Sequence, residues 1–336
     1  MELARALAAR VQCELITFGP EAREVREAGG LRLRIFRSLT SWRGHPAHAL
    51  APSLPLALEG ADVIHTHHMR SAASQIAAVA ARARRRRVVT TDHGLQGPDW
   101  NGLLPRLFHG FLTVSTYSAH ELHVPADRVR VIYGGADPQR FAPDSSVRRA
   151  GVLFVGRITP HKGIDRLIAA LPPGVLLSIV GSSGHDPDPP ERDYLQLLRR
   201  MAANRRVRFL GPVTDDVLAT LYRQASVLVL PSVERTCYGR PIAVSELLGL
   251  VVLEAMASGT PVVCSSVGGL PEVVRHGDSG YLVEPGNVAE LRERLTEILR
   301  NPRLATRMGR RARELVLEGF TWQACADRCL SAYAEL

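Results

Sequence analysis

The residues best placed to do chemistry lie in the stretch Ser245 to Val263, SELLGLVVLEAMASGTPVV. Two carboxylates, Glu246 and Glu254, stand eight positions apart in it. On an ideal helix that spacing is about 800° of rotation, roughly 80° out of alignment. The pair therefore fits best with Glu246 in a loop and Glu254 two turns inside the helix that follows. The free N–H groups around Leu248, Gly249 and Leu250 would then form an anion site between the carboxylates. An anion on those amides, with a carboxylate on each side to accept sugar hydroxyls, describes a nucleoside-diphosphate sugar. Alone, the same two glutamates also suit a helix-surface carboxylate and an N-terminal charge favoured by the dipole. The context narrows the choice: Pro231-Ser232 precedes, Gly259-Thr260-Pro261-Val262-Val263 follows, and Gly268-Gly269-Leu270-Pro271-Glu272 comes after.

A second chemical segment, Val155-Gly156-Arg157-Ile158-Thr159-Pro160-His161-Lys162-Gly163, reads as strand, turn and helix start. Arg157 leaves the strand end and Lys162 sits just before the helix. Two cations there can neutralise a diphosphate, both bound and departing. His93 follows a strand in Thr90-Thr91-Asp92-His93-Gly94. A loop histidine of this kind also serves as a cap. His65, His67 and His68 have the wrong spacing for zinc and suit a cleft lining or a strand end.

In this order, the pieces resemble retaining glycosyltransferases of family 4, over nearly the whole chain and most strongly over Gly151–Trp322. The resemblance implies an α/β GT-B fold, two Rossmann-like doubly wound domains facing a central cleft. It assigns Arg157 and Lys162, beside Gly156, to the donor diphosphate, Glu254 to the ribose hydroxyls and Glu246 to the donor sugar. It puts His93 opposite the acceptor and donor sugar. It sets the backbone of Gly211 and Val213 on the nucleobase, although that stretch is also a generic strand-to-loop turn. Asp137 matches a turn at the domain junction. The stretch Val233 to Ser245 exceeds the family's usual spacer, and its Glu234 and Tyr238-Gly239 imitate the motif's start. Only Glu246 has a glutamate eight residues on. Arg235 and Arg240 in that stretch suit either substrate contact or a mobile surface loop.

The activity so implied moves a sugar from a UDP- or GDP-type donor to a hydroxyl of a sugar, lipid or natural product. No carboxylate stands out as a nucleophile for double displacement. Attack on the face the phosphate leaves, with the phosphate taking the acceptor proton, is the implied mechanism. No metal and no further cofactor are implied, because the cations replace them. The alternatives are a non-catalytic nucleotide-sugar-binding partner subunit, a GT-B sugar-nucleotide epimerase, and a phosphorylase, which would need a pyridoxal-binding lysine in a much longer chain.

The elements that must position these residues follow from the apolar pattern. With 336 residues and 46% apolar content, the chain suits two domains. Short apolar runs alternate with helical periodicity, as in parallel α/β units. Strands are expected at 13–18, 31–36, 62–65, 88–91, 111–114 and 129–132, then at 152–155, 176–180, 207–210, 227–230, 262–264 and 280–283. Helices are expected at 2–10, 47–59, 71–83 and 117–122, then at 164–171, 191–202, 215–224, 250–257, 270–275, 288–300 and 302–317. These give an acceptor-side domain over 1–143, a linker over 143–150, a nucleotide-sugar domain over 151–319, and a last helix over 320–336 crossing back. A doubly wound domain opens with a strand and a Gly-rich turn. Here a helix comes first, so that strand and loop appear missing, and an unpaired strand edge is expected beside Cys13–Phe18.

No apolar run approaches the ~20 residues of a membrane span, and no signal peptide opens the chain. Five scattered cysteines suggest a reducing cytoplasm. The net charge of +9 suits phosphate-bearing ligands. The run Arg82, Arg84, Arg85, Arg86 and Arg87 reads as a solvated helix end, with peripheral contact to an inner membrane face as the second reading. Nothing signals a nucleic-acid partner.

Overall fold

The computed structural model describes residues 1–27, 29–38, 40–41, 49–93, 102–183 and 191–336. They form two compact units, Met1–Gly134 with Trp322–Leu336, and Gly135–Thr321. Residues 143–150 lie inside the second unit, where Arg149 bonds the carbonyls of Ser258 at 2.8 Å and Ala225 at 3.2 Å.

The first unit opens with α1 (Glu2–Ala8), then β1 (Glu14–Gly19), β2 (Arg23–Arg26) and β3 (Arg32–Arg37). The sheet order is β1-β3-β2, with β1 parallel and β2 antiparallel to β3. Among the described residues β1 is thus an edge strand. The polar, mostly exposed strand β2 (REVR) has no apolar alternation, so the sequence does not reveal it. Two-residue strands β4 (Thr40–Ser41) and β5 (Ala49–Leu50) pair antiparallel. Of the helix expected over 47–59, residues 47–48 lie outside the described residues and the rest holds one turn, α2 (Leu54–Ala57). Pro52 biases the residue before it toward extended backbone, and Pro55 is tolerated only because it falls in the first turn.

Next come β6 (Val63–His67), α3 (Ala72–Ala83), β7 (Arg87–Thr91), β8 (Gly110–Thr113), α4 (Thr116–Glu121) and β9 (Val129–Val131). The four strands form a parallel sheet in the order β6-β7-β8-β9. Ile64, Val88 and Phe111 pack on one side with Ala77, Ala78 and Ala81 of α3. Val89 and Leu112 pack on the other with Ala6 and Leu7 of α1 and with Cys325, Ala326 and Cys329 of the C-terminal helix Trp322–Glu335.

In the second unit β10 (Val152–Val155), α5 (Ile164–Ala170), β11 (Leu177–Val180), α6 (Tyr194–Ala202), β12 (Val207–Gly211), α7 (Asp215–Gln224), β13 (Val227–Leu230), α8 (Leu250–Ala257), β14 (Val262–Ser265), α9 (Leu270–Val273), β15 (Gly280–Val283), α10 (Val288–Arg300) and α11 (Pro302–Gly319) follow in turn. All six strands are parallel, in the order β12-β11-β10-β13-β14-β15. Strands β10, β13 and β14 are buried throughout, which explains their continuous apolar runs. The strand order reverses between β10 and β13. In doubly wound sheets the ligand crevice opens at such a switch point, beyond the carboxyl ends of the strands.

Candidate active site

The switch point brings two of the sequence-derived residues, Lys162 and Glu246, together. Gly156 and the exposed Arg157 leave the end of β10, and a short turn, Pro160–Lys162, leads into α5. Pro231 and Ser232 leave the end of the adjacent β13. The two loops are tied by the Val233 amide, which donates to the His161 carbonyl at 2.9 Å. Gly163 makes this approach possible: its φ is +65°, and a Cβ there would collide with the Pro231 carbonyl.

Glu246 lies in the loop before α8, as expected, and is only 7% exposed. Lys162 Nζ donates to its Oε1 at 2.5 Å, and Ser232 Oγ donates to the same oxygen at 2.5 Å. A buried carboxylate needs such partners, and the lysine side chain is itself only 13% exposed. Among the described residues no group bonds Oε2, which leaves it for a ligand hydroxyl. The Glu246 carbonyl is held by the Gly269 amide at 3.1 Å. Gly268, at φ +56°, packs so closely on that carbonyl that a Cβ would overlap it.

Helix α8 starts at Gly249 without a side-chain cap and without an acid in its first turn. Its N-terminal amides are therefore open to an anion, with Leu248 buried and Leu250 exposed beside them. Glu254 lies just past the first turn rather than two turns in, as the fifth residue of α8. It is the single charged residue of an otherwise apolar helix, LVVLEAMA. Tyr222 donates its hydroxyl to Glu254 Oε2 at 2.8 Å. Burial pushes the Glu254 carboxyl up to about 7, against the lowering effect of that hydrogen bond. Asp215 nearby also raises it and Arg140 lowers it; these two are paired with each other at 2.8 Å.

Gly156, Gly181 and Gly211 mark the ends of β10, β11 and β12, tied by Gly156 N to Val180 O at 3.0 Å and Gly181 N to Gly211 O at 2.9 Å. Val213 is half-buried just beyond. The stretch from Val233 to Ser245 is a hydrogen-bonded turn: Thr236 N donates to Arg240 O at 2.9 Å, Ile242 N to Glu234 O at 2.8 Å, and Arg235 to Gly239 O at 2.7 Å. Tyr238 packs edge-on against Tyr194.

His93, in the first unit, lies two residues past β7, and its Nε2 is 3.0 Å from His67 Nδ1. His65 bonds Thr91 Oγ1 and the Tyr333 hydroxyl, each at 2.7 Å. No group of three or more potential ligands among the described residues is placed to hold a metal ion. Most of the basic run is committed internally. Arg82 bonds the Leu107 carbonyl at 2.8 Å, Arg84 and Arg86 pair with Glu59 and Asp62 at 3.5 and 3.6 Å, and Arg87 bonds Tyr333 O at 2.8 Å. No described helix is long and apolar enough to cross a membrane.

Reasoning from the sequence missed Ser232, Tyr222 and His67 as partners of the site residues. Ser232 was visible as part of a motif and His67 as one of a histidine cluster; nothing local marked Tyr222.

The profile of the family described as Glycosyl transferases group 1 matches residues 136–315, and that of Glycosyltransferase Family 4 matches residues 1–140. The chain belongs to the group 1 glycosyltransferases. An uncharacterized glycosyltransferase of Methanocaldococcus jannaschii is 29% identical, over 96% of this chain and 89% of its own length. A D-inositol 3-phosphate glycosyltransferase of Corynebacterium efficiens is 32% identical over 64% of this chain, which spans about half (53%) of that protein. The fold is shared with Anabaena HepE, solved in complex with UDP and glucose: TM-score 0.75, 21% identity, covering 100% of this chain and 96% of that one. The fold is therefore GT-B, and the protein is a glycosyltransferase.

Proposed function

We propose that this glycosyltransferase is a retaining, metal-independent enzyme that takes a nucleoside-diphosphate sugar of UDP or GDP type. The observation that carries the reading is the Lys162–Glu246–Ser232 cluster at the sheet's switch point. It sits in the loop ahead of an uncapped helix that holds a buried carboxylate, Glu254. Arg157, Lys162 and the amides around Leu248, Gly249 and Leu250 hold the diphosphate, beside Gly156. Glu246 Oε2 takes hydroxyls of the donor sugar, Glu254 those of the ribose, and the backbone at Gly211 and Val213 the base. The second unit is thus the donor module. The first supplies the acceptor side, with His93 facing the reacting sugars.

In the proposed step the acceptor oxygen bonds to the anomeric carbon on the face from which the diphosphate leaves. The bond from that carbon to the phosphate oxygen breaks, and the acceptor proton passes to the departing phosphate. The rate then rests on positioning and on cations meeting the growing charge. Lys162 and Arg157 supply that charge without a metal ion. The acceptor is a hydroxyl of a sugar, a lipid or a small natural product. We propose no membrane role for the arginine run, since most of its guanidiniums are spent on internal partners.

A thermal-shift panel of UDP-, GDP-, ADP- and dTDP-sugars tests the donor class. Donor at 100 times its dissociation constant stabilises by about 2.7 kcal/mol. A panel with no shift sinks the donor site. A donor that binds but never turns over with any acceptor points to a non-catalytic subunit.

A further inference from the structure

Around His93 the structure holds a group of imidazoles that the donor chemistry does not use. His67 ends β6 and His93 follows β7, the neighbouring parallel strand. Their register brings ring to ring. His67 Nδ1 and His93 Nε2 are 3.0 Å apart, and the rings lie within 15° of parallel. His65 stacks on the far side of His67, with ring centroids 4.9 Å apart, and is itself fixed by Thr91 and Tyr333. His68 packs against His93 at 4.9 Å and holds φ +61°, a conformation rare without glycine. That strain at the end of β6 is maintained by the His68 amide, which donates to Thr91 O at 2.8 Å.

A single proton fits between His67 Nδ1 and His93 Nε2. Whichever ring donates it, the other nitrogen of His93 takes the complementary state, because a neutral imidazole carries one N–H and one lone pair. Among the described residues His67 is the one hydrogen-bond partner of the His93 ring, so this pairing biases its tautomer.

We propose that His67 is the positioning residue of His93: it fixes the ring's rotamer and tautomer and thereby decides whether His93 Nδ1 meets a sugar hydroxyl as donor or as acceptor. The groups facing the pair are His65, His68 and the amino group of Met1, with Asp92 acting on His68. Both residues are exposed, so it is the crowding of the neighbouring imidazoles around them, with repulsion from His67 and His68, that holds His93 below the usual imidazole range. Removing His67 lifts part of both effects, so His93 then gains a proton at higher pH.

The inference rests on the reading of His93 as the residue that faces the reacting sugars, but its central test needs no substrate. Nitrogen-15 NMR of the histidine rings is followed from pH 4 to 8 in the full chain and in two variants. His67→Asn keeps an amide near the Nδ1 position; His67→Gln moves it away. The parent is expected to show one His93 tautomer, neutral down to pH 5; His67→Asn is expected to keep one tautomer while its titration moves upward. His67→Gln is expected to show mixed tautomers and a titration shifted upward by roughly a pH unit or more. A His93 signal identical in all three overturns the inference. With a donor identified, His67→Gln should lower kcat roughly tenfold at unchanged donor KM, since small misplacement of a reacting group can cost up to about 100-fold. His67→Asn should restore most of it. If His93→Ala turns over like the parent while the NMR coupling holds, the reading of His93 has failed and the pairing stands. If His93→Ala is slow and His67→Gln is not, the positioning role is wrong.

Discussion

Glu254 offers the sharpest test of the donor site, because its charge should follow the ligand. Its carboxyl is raised from 4.5 to about 7 by burial in α8, with Tyr222 as its hydrogen-bond donor. The folded form therefore holds a proton between about pH 4.5 and 7 that the unfolded chain has released. Stability from this group is intact below pH 4.5 and is lost as pH rises through 7. At about 1.4 kcal/mol per unit, the loss comes to about 3 kcal/mol. Ribose hydroxyls donate hydrogen bonds, so they select the ionised carboxylate. With the group about half protonated at pH 7, donor binding should expel about half a proton. Affinity should climb roughly ninefold from pH 6 to pH 8 as the ionised fraction rises from about a tenth to about nine tenths. Glu254→Gln should abolish both effects and cost about 1.5–3 kcal/mol of binding at pH 8, the usual worth of a hydrogen bond to a charge. Calorimetry with the intact nucleotide sugar, in buffers of different ionisation enthalpy, reads the proton count directly. A parent protein that binds donor with no proton release and a flat pH dependence would refute the assignment. So would a variant that keeps the parent's slope.

Four further outcomes are expected. Lys162→Met strands the buried Glu246 and should cost about 3–5 kcal/mol in urea unfolding, partly recovered by Lys162→Arg; a cost under about 1 kcal/mol would mean that the pair is solvated. Arg157→Ala, at an exposed site, should leave stability within about 0.5 kcal/mol and lower kcat more than it raises donor KM; a rise in KM alone makes Arg157 a simple anchor. Gly268→Ala, forced to φ +56° against the Glu246 carbonyl, should destabilise by more than about 1 kcal/mol and weaken donor binding, read by thermal shift. Transfer should persist in excess EDTA; activity that vanishes there and returns with Mg2+ contradicts the metal-free reading.

Much of the second unit was legible because its strands are buried on both faces. VLFV, VLVL and VVCS are apolar without interruption, and such runs mark central parallel strands wherever they occur. Helix α8 was legible for the same reason, and its lone carboxylate stood out against it. Where burial is partial the pattern fades: β2 is polar and went unseen, and prolines cut the described part of the helix expected over 47–59 to one turn. The sequence could place Glu246 in a loop and Glu254 on a helix, but not their partners. Lys162 and Glu246 are 84 residues apart and Tyr222 and Glu254 are 32 apart. The first meeting depends on β10 and β13 being neighbours in the sheet, the second on α7 packing against α8. The pairing of His67 with His93 depends likewise on the register of β6 and β7. Side-chain periodicity records which face of an element is buried. It carries no record of which element lies next to it, so element types were determined locally and the contacts of the site only by the tertiary structure.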